Sequence, residues 1–417
     1  MVMDERSQVG GGRGWVVTLA GFGVNLCIGV LYTWSVFAAA LINQLGWSKT
    51  ASALPYTLAC VVFALTMVPG GRMVDRIGPR WVTTLGGACV GLGLILSGLT
   101  HSFQALTITF GVLIGLGLGF GYAGPTPAAV KWFPPHRKGQ IAGLVVAGVG
   151  LSSLYIAPMT NALIKSFGVM RSFYVEGVIF LIATVLLAQL ISFPPDGYVP
   201  RGDAAGEQKA SVPVPAGRDF TTAEMLATPQ FYLLWIMYAF ASSAGLLIIG
   251  HLAEISQIQG HIKWGFVLVA ILGLANGGGR IVGGWLSDRL GRTNTMLLVF
   301  IVQAVNMLLF SSYRSAGALL VGCIVTGLAY GSLLSLFPSA TYDFFGLKYA
   351  GMNYGLMFTA WGFGSLIGPI VGGRAADLTG GYLASYLLSA VLLAVAAVLC
   401  FFTRPPRQAV DDRSLKA

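Results

Sequence analysis

Arg280 is the only charged residue in the apolar run 264–287, and it lies eight residues before the next charge, Asp288. In a helix rising about 1.5 Å per residue, that spacing puts its guanidinium ~12 Å inside the helix end. This is near the middle of a hydrocarbon core ~30 Å thick. An unneutralised arginine there costs a few kcal/mol or more, so it must face protein or water. No carboxylate lies at similar depth: Glu176 is near the start of its span, Glu254 near the end of its own, and Asp343 and Asp377 are at helix ends. Asn276, one turn away on the same face, can hydrogen-bond the guanidinium but cannot cancel its charge. The missing counter-ion is then expected from outside, and a guanidinium fork suits a carboxylate held by two parallel bonds. The blander alternative is an arginine tied to backbone carbonyls or reaching a distant acid.

Three phenols accompany it. Tyr122 and Tyr330 lie midway along apolar runs at matched positions, and Tyr32 lies in Gly29-Val-Leu-Tyr32-Thr-Trp34-Ser. Each can donate to a carboxylate while its ring shapes an apolar pocket, although a buried tyrosine as often just finds a local partner. His251 and Glu254, three apart near a span end, and Asp377 are the groups able to carry a proton. A zinc site would need further ligands that the sequence does not offer, so no metal and no cofactor is expected.

The elements that must hold these groups follow from composition. Of 417 residues, 55% are hydrophobic and 10% charged, against about 25% charged in soluble domains. Mean hydropathy is +0.77, and together these exclude soluble, fibrous and disordered classes. The net charge of +10 sits in tufts between apolar runs, the pattern of membrane-protein loops and not of a nucleic-acid surface. Five cysteines, all inside apolar runs and without CxxC spacing, read as small hydrophobes. The first apolar stretch runs without charge to Ser48, too long for a signal-peptide core, and is expected to remain as the first helix.

With charges and Gly/Pro turns as punctuation, the chain divides into twelve spans: 15–45, 50–71, 81–100, 104–130, 139–164, 173–194, 231–253, 264–287, 293–313, 317–342, 350–373 and 381–403. Each is close to the ~20 apolar residues that cross a bilayer. Residues 195–228 form the one long polar stretch and cannot bury a core, which predicts a linker between a six-helix half at 1–194 and another at 229–417. Eighteen Lys and Arg fall on the side of the termini and six on the other, predicting that both termini are cytoplasmic, in a multi-pass protein of the cell (inner or plasma) membrane.

The halves repeat. Gly71-x-x-x-Asp75-Arg76-x-Gly78-x-Arg80 returns 213 residues later as Gly284-x-x-x-Asp288-Arg289-x-Gly291-Arg292, and Gly139, Gly143 and Gly150 match Gly351, Gly355 and Gly362. Many transporters are built from related halves. The position matching Arg280 holds Met67, so symmetry breaks at the buried cation.

The paired G-x-x-x-D-R-x-G-R loop in a twelve-span chain resembles the major facilitator superfamily. The resemblance covers essentially the whole chain and implies two pseudo-symmetric six-helix bundles working by alternating access. It implies that Asp75, Arg76, Asp288 and Arg289 are gating elements, latching the halves in one state. Within that superfamily, Arg13-Gly14-Trp15 and Lys131-Trp-Phe-Pro resemble the monocarboxylate transporters, while Tyr32-Thr-Trp34-Ser, Lys131-Trp-Phe-Pro and Asn353-Tyr354-Gly355 resemble the oxalate:formate antiporters. Both families carry small carboxylates and use an arginine at the position of Arg280.

Two departures bear on coupling. Where monocarboxylate transporters have D-x-x-x-R, this chain has Asn276-x-x-x-Arg280, and where oxalate carriers use a second cation it has Trp361. One buried cation suits one carboxylate, because a second negative charge would enter a low-dielectric cavity unpaired. The expectation is therefore a secondary transporter, not an enzyme, that moves a small monocarboxylate of the lactate or pyruvate type with a proton, the alternative being an anion exchanger of the oxalate/formate type. No Walker A sequence is present to couple ATP.

Overall fold

The computed structural model describes residues 5–100, 102–134, 138–195, 198, 219–346 and 349–406. Twelve helices within these residues are long and apolar enough to cross a membrane. They are α1 Gly12–Leu45, α2 Lys49–Ile77, α3 Pro79–Gly98, α4 Phe103–Val130, α5 Ile141–Phe167, α6 Val169–Ala188, α7 Pro229–Gly260, α8 Gly265–Leu290, α9 Arg292–Phe310, α10 Ala316–Phe345, α11 Gly351–Thr379 and α12 Leu383–Cys400. Most of the linker expected at 195–228 lies outside the described residues. Its end forms a short helix, Thr222–Leu226, closed by a Thr221/Glu224 capping box and anchored by the buried Met225.

Several helices run past the expected spans. The helix α2 continues through Arg72, Asp75 and Arg76 to Ile77, and α7 through Glu254 to Gly260. Charges mark where apolar solvent ends, whereas a helix stops where its backbone finds a cap. Ser48 caps α2 through the Ala51 N–H at 3.0 Å, and Gly78 ends it with φ +87°. Gly291, the repeat partner of Gly78, has φ +84°. The glycine of the repeated loop thus supplies in both halves a left-handed backbone that side chains with a Cβ disfavour.

The glycine surplus serves close helix contact. A methyl at Gly111 or Gly115 would meet Leu58 or Val62 of α2 at 2.8 and 2.7 Å, and one at Gly119 would overlap Thr66, so all three turn toward α2. Between the first and second six spans the same device brings α5 against α8, where a Cβ at Gly150 would sit 3.2 Å from the Gly277 Cα. The helix α2 likewise lies along α11, with Gly362 against Ala64 and Gly373 against Lys49. The cysteines are free, four of them buried.

Candidate functional site

Helices α1, α2, α4, α5, α7, α8, α10 and α11 enclose a central cavity lined by Tyr32, Tyr56, Phe63, Tyr122, Ile249, Arg280, Tyr330, Phe358 and Trp361 among others. Its volume is about 40 Å³. Arg280 reaches it fifteen residues into α8, ~22 Å along the helix.

The guanidinium is held on three sides. Nε donates to Asn276 Oδ1 at 3.2 Å, one terminal nitrogen to the Val146 carbonyl of α5 at 3.1 Å, and the other to the Tyr32 hydroxyl of α1 at 3.3 Å. The Asn276 amide also donates to Tyr32 Oη at 3.3 Å. Two donors thus occupy the phenol's acceptor sites, leaving its own proton free to be donated to a ligand. Among the described residues no carboxylate pairs with Arg280. The backbone-carbonyl reading therefore accounts for one bond, and the charge stays unneutralised.

Tyr32 owes its position to a local change of helix type. The helix α1 tightens into a 3-10 turn over Gly29–Thr33, a departure that often marks a hinge or functional site. There Gly29 sits against Ser152 of α5, whose hydroxyl donates to the Gly29 carbonyl at 3.2 Å.

Tyr122 of α4 and Tyr330 of α10 also line the cavity. Tyr330 Oη accepts from Trp361 Nε1 at 2.6 Å, and Tyr122 meets Phe63 edge-on with centroids 5.8 Å apart. Tyr56, Phe63 and Phe358 are cavity walls that sequence reasoning missed. The signal was the i, i+3 pair Phe358 and Trp361, whose rings stack 5.0 Å apart. Trp361 stands where the resemblance led one to look for a second cation, and it makes that wall aromatic.

Glu254, His251 and Asp377 come together, but at the face opposite the termini and away from Arg280. Glu254 pairs with Lys49 of α2 at 3.0 Å and accepts from the Tyr382 hydroxyl at 2.5 Å. Burial and that carboxylate hold the Tyr382 phenol well above its ordinary pKa, which keeps it a donor. His251 Nε2 is 2.9 Å from the Pro369 carbonyl, and Nδ1 is 3.1 Å from Tyr382 Oη. A carbonyl only accepts, so Nε2 carries the hydrogen. Asp377 accepts from the Lys49 and Thr50 backbone N–H groups, both at 2.8 Å. Lys49 and Thr50 belong to the first six spans and the acids to the second, so this cluster joins the two sets.

Of the repeated loops, the first reaches the second six spans through Arg72, which donates to Met352 Sδ of α11 at 3.8 Å. Asp288 takes a 2.7 Å bond from Arg292, which also reaches Asp343 at 2.7 Å, all within the second six spans. Arg289 lies over the Trp285 ring at 4.1 Å. Asp75 and Arg76 are exposed and, among the described residues, make no side-chain bond. The last arginine of the second motif takes the acids, and among the described residues Asp75, Arg76, Asp288 and Arg289 make no side-chain bond between the two six-span sets.

The chain matches the family model of the Major Facilitator Superfamily over residues 16–305 and again over 259–417. It is 32% identical to the oxalate:formate antiporter of Oxalobacter formigenes, over 95% of this chain and 92% of that protein. It is 25% identical to monocarboxylate transporter 10 of Danio rerio, over 95% and 79% respectively. Among solved structures it resembles a bacterial homolog of the human lysosomal transporter Spinster in an inward-facing, unoccupied conformation, with TM-score 0.68, 16% identity, and 94% and 96% coverage. A twelve-helix bundle with a central cavity and a duplicated signature loop, matched over nearly its full length, places this chain in the major facilitator superfamily as a multi-pass membrane transporter.

Proposed function

We propose that this transporter carries a small monocarboxylate of the lactate or pyruvate type by alternating access. The observation that supports this reading is Arg280, open to the central cavity and without a carboxylate partner among the described residues. The carboxylate would take the guanidinium donors and the free Tyr32 proton, with its carbon end against Tyr122, Phe358 and Trp361. The cavity is narrow, about 40 Å³, which suits an acid of a few heavy atoms. The aromatic wall at Trp361 offers nothing to a second negative charge, which favours a monoanion over a dianion.

The moving bodies are the six-helix halves joined by 195–228, and the excess of Lys and Arg on the terminal face argues that this face is cytoplasmic. Coupling by exchange is favoured at the site itself, because Asn276 stands where an acid could neutralise Arg280 in the empty carrier. A carrier left with a bare buried cation resists switching until an anion returns. Proton symport is the second reading, and one observation favours it. With Nε2–H committed to Pro369 and the Tyr382 proton to Glu254, a proton added at His251 Nδ1 finds oxygen acceptors waiting, Tyr382 Oη at 3.1 Å and Glu254 Oε2 at 3.9 Å.

Counterflow of labelled lactate in proteoliposomes tests carboxylate transport, and its absence for lactate, pyruvate and formate alike would refute it. Uptake into vesicles holding no anion, driven by an imposed pH gradient, decides for symport. Uptake only when an anion is inside decides for exchange.

A further inference from the structure

At the face opposite the termini lies a second cavity, of about 220 Å³, lined by residues including Asn43, Asn161, Lys165, Gln257, Lys263 and Phe266. Two lysines line it and no acidic residue does. Neither lysine forms an ion pair or side-chain hydrogen bond among the described residues. The nearby acids are already engaged, Glu254 by Lys49 and Asp377 by the α2 backbone.

The register of the walls ties this cavity to the central one. The helices α1, α5, α7 and α8 line both. On α7, Ile249 lines the central cavity, and Ala253 and Gln257, at successive four-residue steps, line the second. On α1, Tyr32 is followed by Val36, Ala40 and Asn43. Steps of three or four keep one helix face, so the second cavity continues the first outward along the same seam. Val36, Ala39 and Ala253 line the inner part of the second cavity, and Asn43 donates to Gln257 at 3.4 Å across its outer part. Lys165 lies sixteen residues beyond Val149, ~24 Å along the helix. That is more than twice the ~8–10 Å over which salt screens a charge, so the lysines act as a separate site and not through the field of Arg280.

We propose that Lys165 and Lys263, with the Asn161 and Gln257 amides, form an anion-capture site for small carboxylates at this mouth of the transport path. Two exposed lysines lining one recess raise the local concentration of anions before the seam opens, and the amides orient them. The ligand class rests on the carboxylate reading of the central site, but the capture site has its own test.

Asn161→Cys, on a Cys89→Ser background, is reconstituted in phosphatidylcholine vesicles and treated with membrane-impermeant thiosulfonates, one anionic and one cationic. The anionic-to-cationic rate ratio is expected to fall about fivefold or more when Lys165→Gln and Lys263→Gln are added. Millimolar external lactate is expected to slow labelling with the lysines present, with or without Arg280→Gln, and not in the double lysine variant. An unchanged ratio would overturn the proposal, as would lactate protection that disappears with Arg280→Gln alone. The charge ratio needs no transport, so a carrier that moves no carboxylate yet shows the ratio and the protection refutes the central reading and leaves the capture site standing.

Discussion

Thr50 of α2 gives both its backbone N–H and its hydroxyl to Asp377 of α11, at 2.8 and 2.6 Å. With the Lys49 N–H on the other oxygen, a carboxylate from the second six spans caps the first turn of a helix from the first six. Anionic caps at helix N-termini are favoured by the unpaired N–H groups and the helix dipole. Together with Lys49 to Glu254, this bond closes the face opposite the termini.

Asp377→Asn weakens that closure, because an amide accepts with only one of its two atoms and carries no charge. Spin labels at the exposed Leu45 and Leu378 are expected to show a longer distance population in the variant, the charge-assisted bonds being worth ~1.5–3 kcal/mol. An identical distance distribution would contradict the latch.

Arg280→Lys keeps the charge and loses the planar fork. Folding is expected to survive, as judged by size-exclusion profile and melting temperature. Transport kcat/KM should fall about 10- to 100-fold, corresponding to ~1.5–3 kcal/mol. Wild-type kinetics would exclude the bidentate role.

Tyr32→Phe leaves the ring and removes the oxygen that receives Arg280 and Asn276. The expected result is a KM for carboxylate raised about fivefold to tenfold, for a bond of ~1 kcal/mol or slightly more. An unaltered KM would remove the phenol from the site.

Asn276→Asp puts a fixed carboxylate where Oδ1 now accepts from Arg280. That internal anion competes with substrate when ionised and releases the guanidinium when protonated. Uptake should therefore be suppressed at neutral pH and recover as pH falls, and a profile parallel to the parent's would argue against competition.

Trp361→Ala removes a cavity wall and the partner of Tyr330. Larger acids such as phenylpyruvate should gain relative to lactate by about 10-fold or more, on the scale of ~1–3 kcal/mol for hydrophobic pocket changes. No change in the ratio would place the substrate elsewhere.

The sequence is most readable where a residue is costly in its surroundings. Arg280 declares itself because a charge in an apolar run needs an explanation, and Asn276 follows from helical spacing. Tyr32 could be named as a phenol in a span, but its bond to Arg280 depends on how α1 meets α8, which no periodicity encodes. Phe63 and Phe358 are ordinary in a span and become cavity walls only through tertiary placement. His251, Glu254 and Asp377 were identifiable as titratable groups, yet their gathering around Lys49 and Thr50 is a contact between residues more than two hundred positions apart. The repeated loops were found by pattern, and their backbone agrees at Gly78 and Gly291. Their bonding differs, because Arg292 has Asp343 within reach.

The bond from Arg280 to the Val146 carbonyl joins α8 to α5, and so ties one six-span set to the other at the level of the cavity. An incoming acid that draws the guanidinium toward itself competes with this tether. Cargo would then act as a key as well as a load: by competing with a carbonyl oxygen it loosens the two sets from each other at the point about which they must pivot.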